Sequence, residues 1–190
     1  MIVLIDTCSL LSLVRYYIPF DNSGILLEFI KRKLTAGEII VIDRVINECQ
    51  WVAKGIVLDK LVCLKEKRLH ANTESLIAPN HTKFLQMVDN QFCLGAQKNK
   101  LESFEYDKRK QEFLKGADIG LILFCLNMKV DSKLFEEEVI IVTEETEGAN
   151  DNKLFMKIPA ICRILGITTI TLPQLLARYT EINIEFKSIV

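Results

Sequence analysis

Long hydrophobic runs are missing from this chain of 190 residues. Its most apolar internal stretch, Ile119 to Leu126, is far shorter than the roughly 20 residues that span a bilayer. The opening Met1-Ile2-Val3-Leu4-Ile5 follows no basic residue and stops at Asp6, too short for a signal-peptide core. A cytoplasmic protein is the expectation. Proline and glycine are sparse, at 4 and 8 residues, and no Pro/Gly/Ser-rich linker or internal repeat divides the sequence. A single domain over 1–190 is expected at this length. An excess of one charge is also lacking, with 24 Lys and Arg against 25 Asp and Glu. That excludes a uniformly basic nucleic-acid coat and leaves room for a basic rim around an acidic site.

Several motifs are absent too. The six cysteines, Cys8, Cys49, Cys63, Cys93, Cys125 and Cys162, form no Cys-x-x-Cys pair and mostly sit among Leu, Ile and Val. Reduced core thiols are the expectation. No Gly-x-x-x-x-Gly-Lys-Ser/Thr or Gly-x-Gly-x-x-Gly run exists to cradle a nucleotide phosphate, and no His-Glu-x-x-His to hold zinc. His70 and His81 have no partner at ligand spacing and read as surface residues.

What is present is an alternation of short β-branched runs with helical patterns. Strands are expected at Ile2–Ile5, Glu38–Ile42, Leu61–Leu64, Val139–Thr143 and Ile167–Thr171. Helices are expected at Cys8–Tyr17, Gly24–Leu34, Arg44–Lys54, Asp118–Met128 and Ile158–Leu165, with a last one opened by Pro173. The polar region at about 65–115 is less regular. Helices around Thr82–Phe92 and Leu101–Leu114 make it a candidate helical insertion. Alternation of this kind predicts an α/β fold, a parallel sheet with helices on both faces. Its ligand crevice would lie outside the carboxyl ends of the strands.

Acidic residues fall where that crevice would be. Asp6 follows the first strand, and Glu145 comes two residues after Thr143 at the end of a later one. Asp118 opens the apolar helix, and Glu48 lies in the helix after the second strand, flanked by Ile46, Cys49 and Trp51. Each alone has a structural explanation. Asp6 and Asp118 can cap helices, and Glu48 can pair with Arg44 one turn earlier. Gathered together they pose a different problem. Two carboxylates about 4 Å apart repel by about 4 kcal/mol at an effective dielectric near 20. A hard divalent cation with oxygen ligands, Mg²⁺ or Mn²⁺, relieves that repulsion and can promote phosphodiester hydrolysis.

These residues resemble the PIN-domain family. The resemblance lies in Ile5-Asp6-Thr7-Cys8-Ser9-Leu10, Val45-Ile46-Asn47-Glu48, Gly116-Ala117-Asp118 and Val142-Thr143-Glu144-Glu145, in that order along the chain. It implies a three-layer α/β/α sandwich and a metal-dependent ribonuclease acting on RNA. Asp6, Glu48, Asp118 and Glu145 would be the catalytic, metal-binding carboxylates. Thr7 or Ser9 would support Asp6 through a hydroxyl. Many small PIN proteins are toxins of toxin–antitoxin pairs, so a cognate antitoxin is an implied partner, and a homodimer is an implied assembly. The last motif departs from the family, which usually offers Asp two residues after Thr. Glu144 or Asp151 could take the place of Glu145.

Basic residues with interleaved aromatics could face such a substrate. Lys98, Lys100, Lys108, Arg109, Lys110 and Lys115 surround Phe104 and Tyr106, and Lys60, Lys65, Lys67 and Arg68 form a second cluster. For any single lysine a solvated helix face is the slightly stronger reading, since Glu102, Glu105, Asp107 and Glu112 interrupt the first cluster. Two rival functions remain at this level. One is a PIN-like module that only binds RNA or protein. The other is a haloacid-dehalogenase-type phosphotransferase, whose usual second Asp is replaced here by Cys8.

Overall fold

The computed structural model describes residues 1–132, 137–147 and 153–182. Five strands form one all-parallel sheet in the order β3-β2-β1-β4-β5. They are β1 (Ile2–Ile5), β2 (Ile39–Ile42), β3 (His70–Ala71), β4 (Val139–Val142) and β5 (Thr168–Ile170). β1 and β4 lie at the centre and are built almost wholly of Ile and Val. Unbroken β-branched runs suit a parallel strand covered on both faces. Helices cover both faces, in a three-layer α/β/α sandwich: α1 (Thr7–Ser12), α2 (Ile25–Thr35), α3 (Asp43–Trp51), α4 (Ile56–Lys60), α5 (His81–Met87), α6 (Gly95–Lys98), α7 (Ser103–Lys115), α8 (Ala117–Ser132), α9 (Ile158–Leu165) and α10 (Leu172–Arg178). No helix among the described residues is long and apolar enough to cross a membrane.

The chain builds outward from β1 to β2 and β3, then crosses to the other side of β1 to lay down β4 and β5. The direction of winding therefore reverses between β1 and β4. In parallel α/β sheets such a switch point opens a crevice at the carboxyl ends of the strands. Register fixes what stands there. Ile5 pairs with Val142, and the Asp6 N–H donates to the Val142 carbonyl at 3.0 Å. Asp6 and Thr143 thus leave the sheet side by side.

α8 approaches the sheet closely at Gly120. A Cβ there would lie 2.8 Å from Arg44 Cδ and 2.9 Å from Ile42 Cδ1. The space keeps Arg44 in place to donate to the carbonyls of Leu114 (2.9 Å), Gly116 (3.4 Å) and Thr73 (3.3 Å). The first two bonds satisfy carbonyls at the α7–α8 junction and so set where α8 begins, and the third ties it to the chain after β3.

Three expected elements differ. Leu61–Leu64 is no strand: a 3₁₀ turn covers Val62–Lys65, and the edge strand is β3, further on. Leu61 and Leu64 are both fully buried while Val62 is exposed, the spacing of a turn rather than strand alternation. The helix expected to reach Lys54 stops at Trp51, because Ala53 and Lys54 adopt left-handed φ of 50° and 58°, followed by Gly55 at 76°. Such a conformation costs roughly 1–2 kcal/mol per non-glycine residue. The expected Cys8–Tyr17 helix is α1 followed by a wider π turn over Leu13–Tyr17.

Within 65–115, Tyr106 of α7 joins Cys93 and Leu154 in a second small core, while Phe84 of α5 is buried in the main one. An antiparallel bridge joins Cys93 to Phe155, with Leu94 N–H on the Leu154 carbonyl and Met156 N–H on the Phe92 carbonyl, each at 2.9 Å. This region is thereby tied to the chain just after β4.

Candidate functional site

Asp6 is held on every side. It caps α1, where Oδ1 accepts from the Thr7 N–H at 2.6 Å. Its Oδ2 accepts from the Cys8 thiol at 2.8 Å and from the Thr143 hydroxyl at 3.0 Å. Only 4% of the residue is exposed. Burial raises its pKa, these three donors pull it back, and the charge of Glu145 raises it again; the net direction is upward.

Glu48 projects from α3 toward the same place. Its Oε2 accepts from the Thr7 hydroxyl at 2.6 Å. The pairing with Arg44 that its spacing suggests does not form, since Arg44 is turned to the α7–α8 junction. Ser9, a candidate support for Asp6, has a buried hydroxyl with no hydrogen-bond partner among the described residues. The supporting hydroxyl comes from Thr143 instead, across the β1–β4 pair.

Asp118 lies in the first turn of α8, half-buried. Burial, followed by the charges of Asp6, Glu145 and Glu48, pushes its pKa up to about 7, and Lys153 works against them. Asp6, Glu145 and Glu48 therefore all lie within electrostatic reach of Asp118, and Glu145 within reach of Asp6. Glu145 Oε2 accepts from the Ile158 N–H at the start of α9, at 3.2 Å. Glu144 points elsewhere. Its Oε1 accepts from the Leu172 N–H at 2.6 Å, and its charge acts on Tyr17. Asp151 falls outside the described residues.

Sequence reasoning grouped Cys8 with the core thiols and otherwise noted it only in the place of a phosphotransferase's second Asp. Its pKa rises to about 12, from burial and then from the Asp6 charge, so it stays a thiol and donates to Asp6. Its sulfur also accepts from the Glu144 N–H at 3.2 Å. The only signal was position, two residues after Asp6 in a helical turn. The six cysteines are all free.

One side of the crevice opens into a cavity of about 330 Å³, lined by Asp118, Glu145, Arg109, Phe113, Lys153 and Lys157 among others. Arg109 and Phe113 come from α7, so the region at 65–115 forms a wall beside the acids. Phe113 stacks on Phe155 with centroids 4.0 Å apart. A basic rim next to an acidic centre is an arrangement that can receive a phosphodiester. Hard carboxylate oxygens suit Mg²⁺ or Mn²⁺ in their donor chemistry. No three His, Cys, Asp or Glu side chains among the described residues stand close enough to form a ready cage. Mg²⁺ commonly keeps several waters and few direct protein ligands, so a ready cage is not required of such a site.

A family model described as Domain of unknown function (DUF4411) matches residues 3–182. No curated protein and no solved structure matches the chain.

Proposed function

The chain belongs to the DUF4411 family, and we propose that it is a metal-dependent ribonuclease whose acidic crevice binds Mg²⁺ or Mn²⁺. The observation that carries this reading is the convergence of acids on Asp118, a carboxyl raised to about 7 by burial and then by the charges of Asp6, Glu145 and Glu48. Asp6, Glu48, Asp118 and Glu145 would hold the cation, directly or through water. When bound, such a cation supplies positive charge to phosphate oxygens and acidifies a water. The protein's own part is orientation. Thr7, Cys8 and Thr143 fix Asp6, and the Thr7 hydroxyl also fixes Glu48, so one residue aligns two carboxylates. Arg109 and Lys153 in the adjoining cavity would draw the RNA phosphates in. A cognate antitoxin, a homodimer and a cytoplasmic location belong to the same proposal.

A second reading, a PIN-like module that binds without cleaving, is favoured by the last motif, where Glu145 stands in the place of the family's usual Asp and already accepts from the Ile158 N–H. The phosphotransferase reading is weaker, because the second Asp that chemistry uses two residues on is replaced by Cys8, whose thiol is pushed up to about 12 and donates to Asp6. The deciding experiment incubates labelled single-stranded RNA with the protein and Mn²⁺ or Mg²⁺, beside Asp6→Asn and Asp118→Asn. Metal-dependent cleavage that both variants lose supports the ribonuclease. RNA retention without turnover supports the binding module, and equal cleavage by all three proteins rejects this site.

A further inference from the structure

α3 buries Val45, Ile46 and Cys49 and leaves Asn47, Glu48, Gln50 and Trp51 exposed. With roughly 100° between successive residues, the exposed arc runs in the order Gln50, Asn47, Trp51, Glu48. Trp51 is the only tryptophan in the chain and is 83% exposed. So large an aromatic surface normally packs or contacts a partner. The helix ends immediately after it, in the left-handed Ala53-Lys54-Gly55 turn. Strained backbone of that sort gathers at functional sites.

Beside the Gln50 and Asn47 end of the arc lies a cavity of about 410 Å³. Ile46 and Leu64 contribute apolar wall, while Asn47, Gln50, Lys65 and Lys67 contribute polar groups. Asp43 also lines it, but its carboxylate is engaged by the hydroxyl and N–H of Thr73 and by the Arg44 N–H.

We propose that this arc is a base-binding subsite for single-stranded RNA. One unpaired base stacks on the Trp51 indole, and a neighbouring base enters the cavity. Side-chain amides of Asn47 and Gln50 each carry donors and an acceptor, matching the edge of a base. Apolar wall accepts the ring face, and Lys65 and Lys67 neutralise the adjoining phosphates. Duplex RNA is excluded because its bases are stacked on each other. Trp51 stands one helical turn from Glu48, so a strand lying on it leads into the acidic crevice. The subsite deepens the ribonuclease reading and rests on it for what the bound strand is for.

Trp51 is its own reporter, since no other tryptophan contributes to the emission. A short single-stranded oligoribonucleotide is titrated into the whole chain in EDTA, and into Asp118→Asn with Mg²⁺, so that no turnover occurs. Trp51 fluorescence is followed beside the anisotropy of a labelled copy. Quenching that tracks the anisotropy is expected, with little change from a duplex of the same sequence. By anisotropy, Trp51→Ala should bind about tenfold more weakly, Trp51→Phe should recover part of the loss, and Asn47→Ala with Gln50→Ala should weaken binding too. Binding with unchanged emission in both conditions, wild-type affinity in Trp51→Ala, or no binding at all overturns the subsite. So does an emission shift that follows protein concentration alone, which would mean Trp51 is covered by another copy. The two readings separate cleanly: cleavage with an unperturbed Trp51 removes only the subsite, and quenching without metal-dependent cleavage removes only the ribonuclease.

Discussion

Asp89 and Asp118 are both half-buried carboxylates, yet the fold treats them in opposite ways. Asp89 accepts from the Tyr106 hydroxyl and from Lys110 Nζ, each at 2.7 Å. Burial works against its ionised form, but these partners win and its pKa falls. Asp118 meets other acids, and its pKa climbs to about 7. The protein can therefore neutralise a carboxylate with a lysine where the carboxylate only ties elements together, as Asp89 ties the turn after α5 to α7. In the crevice, burial and the neighbouring acids outweigh the opposing charge of Lys153. On the proposed reading, that contrast, more than the number of acids, distinguishes a cation site from an ordinary ion pair.

Exchanging the two positions gives the largest expected effect. Asp118→Asn should reduce metal-dependent RNA cleavage by roughly 100-fold or more. Asp89→Asn should leave cleavage intact and instead lower stability in urea by about 1–2 kcal/mol, since its partners are left without their acceptor. If both variants lose cleavage equally at matched folded fraction, the distinction fails. Next comes metal-linked stability. Mn²⁺ at about a hundredfold excess over its Kd should stabilise the wild type by about 2.7 kcal/mol. The gain should persist in Asp89→Asn and vanish in Asp118→Asn, read from thermal melts.

The pH dependence of the metal-free protein sharpens the same contrast. Asp118 has a folded pKa of about 7, above its ordinary 3.8. Between those values the folded chain keeps a proton that the unfolded chain has released. Stability should therefore fall as pH rises through this window, by on the order of a few kcal/mol, and Asp118→Asn should flatten the decline. Asp89, with its lowered pKa, acts the other way: its contribution is present above about pH 4 and is lost as pH falls. Denaturation midpoints in EDTA across this range would show it, and an unchanged slope in Asp118→Asn would count against the repulsion. The smallest effect is expected at Thr7→Val, which frees Glu48 while keeping the N–H on Asp6. Cleavage should drop by roughly tenfold with the melting temperature little changed. A wild-type rate would mean that Glu48 needs no positioning.

Much of the fold was legible because strands covered on both faces leave unbroken β-branched runs, as Ile2–Ile5 and Val139–Val142 do. The positions of Asp6 and Thr143 followed from the ends of those runs. β3 was not legible, since His70-Ala71 is a two-residue edge strand with no such pattern. Nor were partners chosen in three dimensions. Arg44 spans Thr73, Leu114 and Gly116, and the Thr143 hydroxyl reaches Asp6 across 137 positions. Cys8 looked like one more core thiol, and only its contact with Asp6 sets it apart. The lysines of 65–115 looked interchangeable in sequence. The structure gives Lys110 to Asp89 and pairs Arg109 with Glu105, on the wall of the cavity that Asp118 also lines.

The most direct test of these converging acids as a cation site is anomalous diffraction from crystals of the protein soaked in Mn²⁺. A manganese peak among the carboxylates of Asp6, Glu48, Asp118 and Glu145, absent from Asp118→Asn crystals, is the expected result. Ordered, unoccupied carboxylates at saturating Mn²⁺, or manganese bound only at Asp89 or elsewhere on the surface, would contradict it.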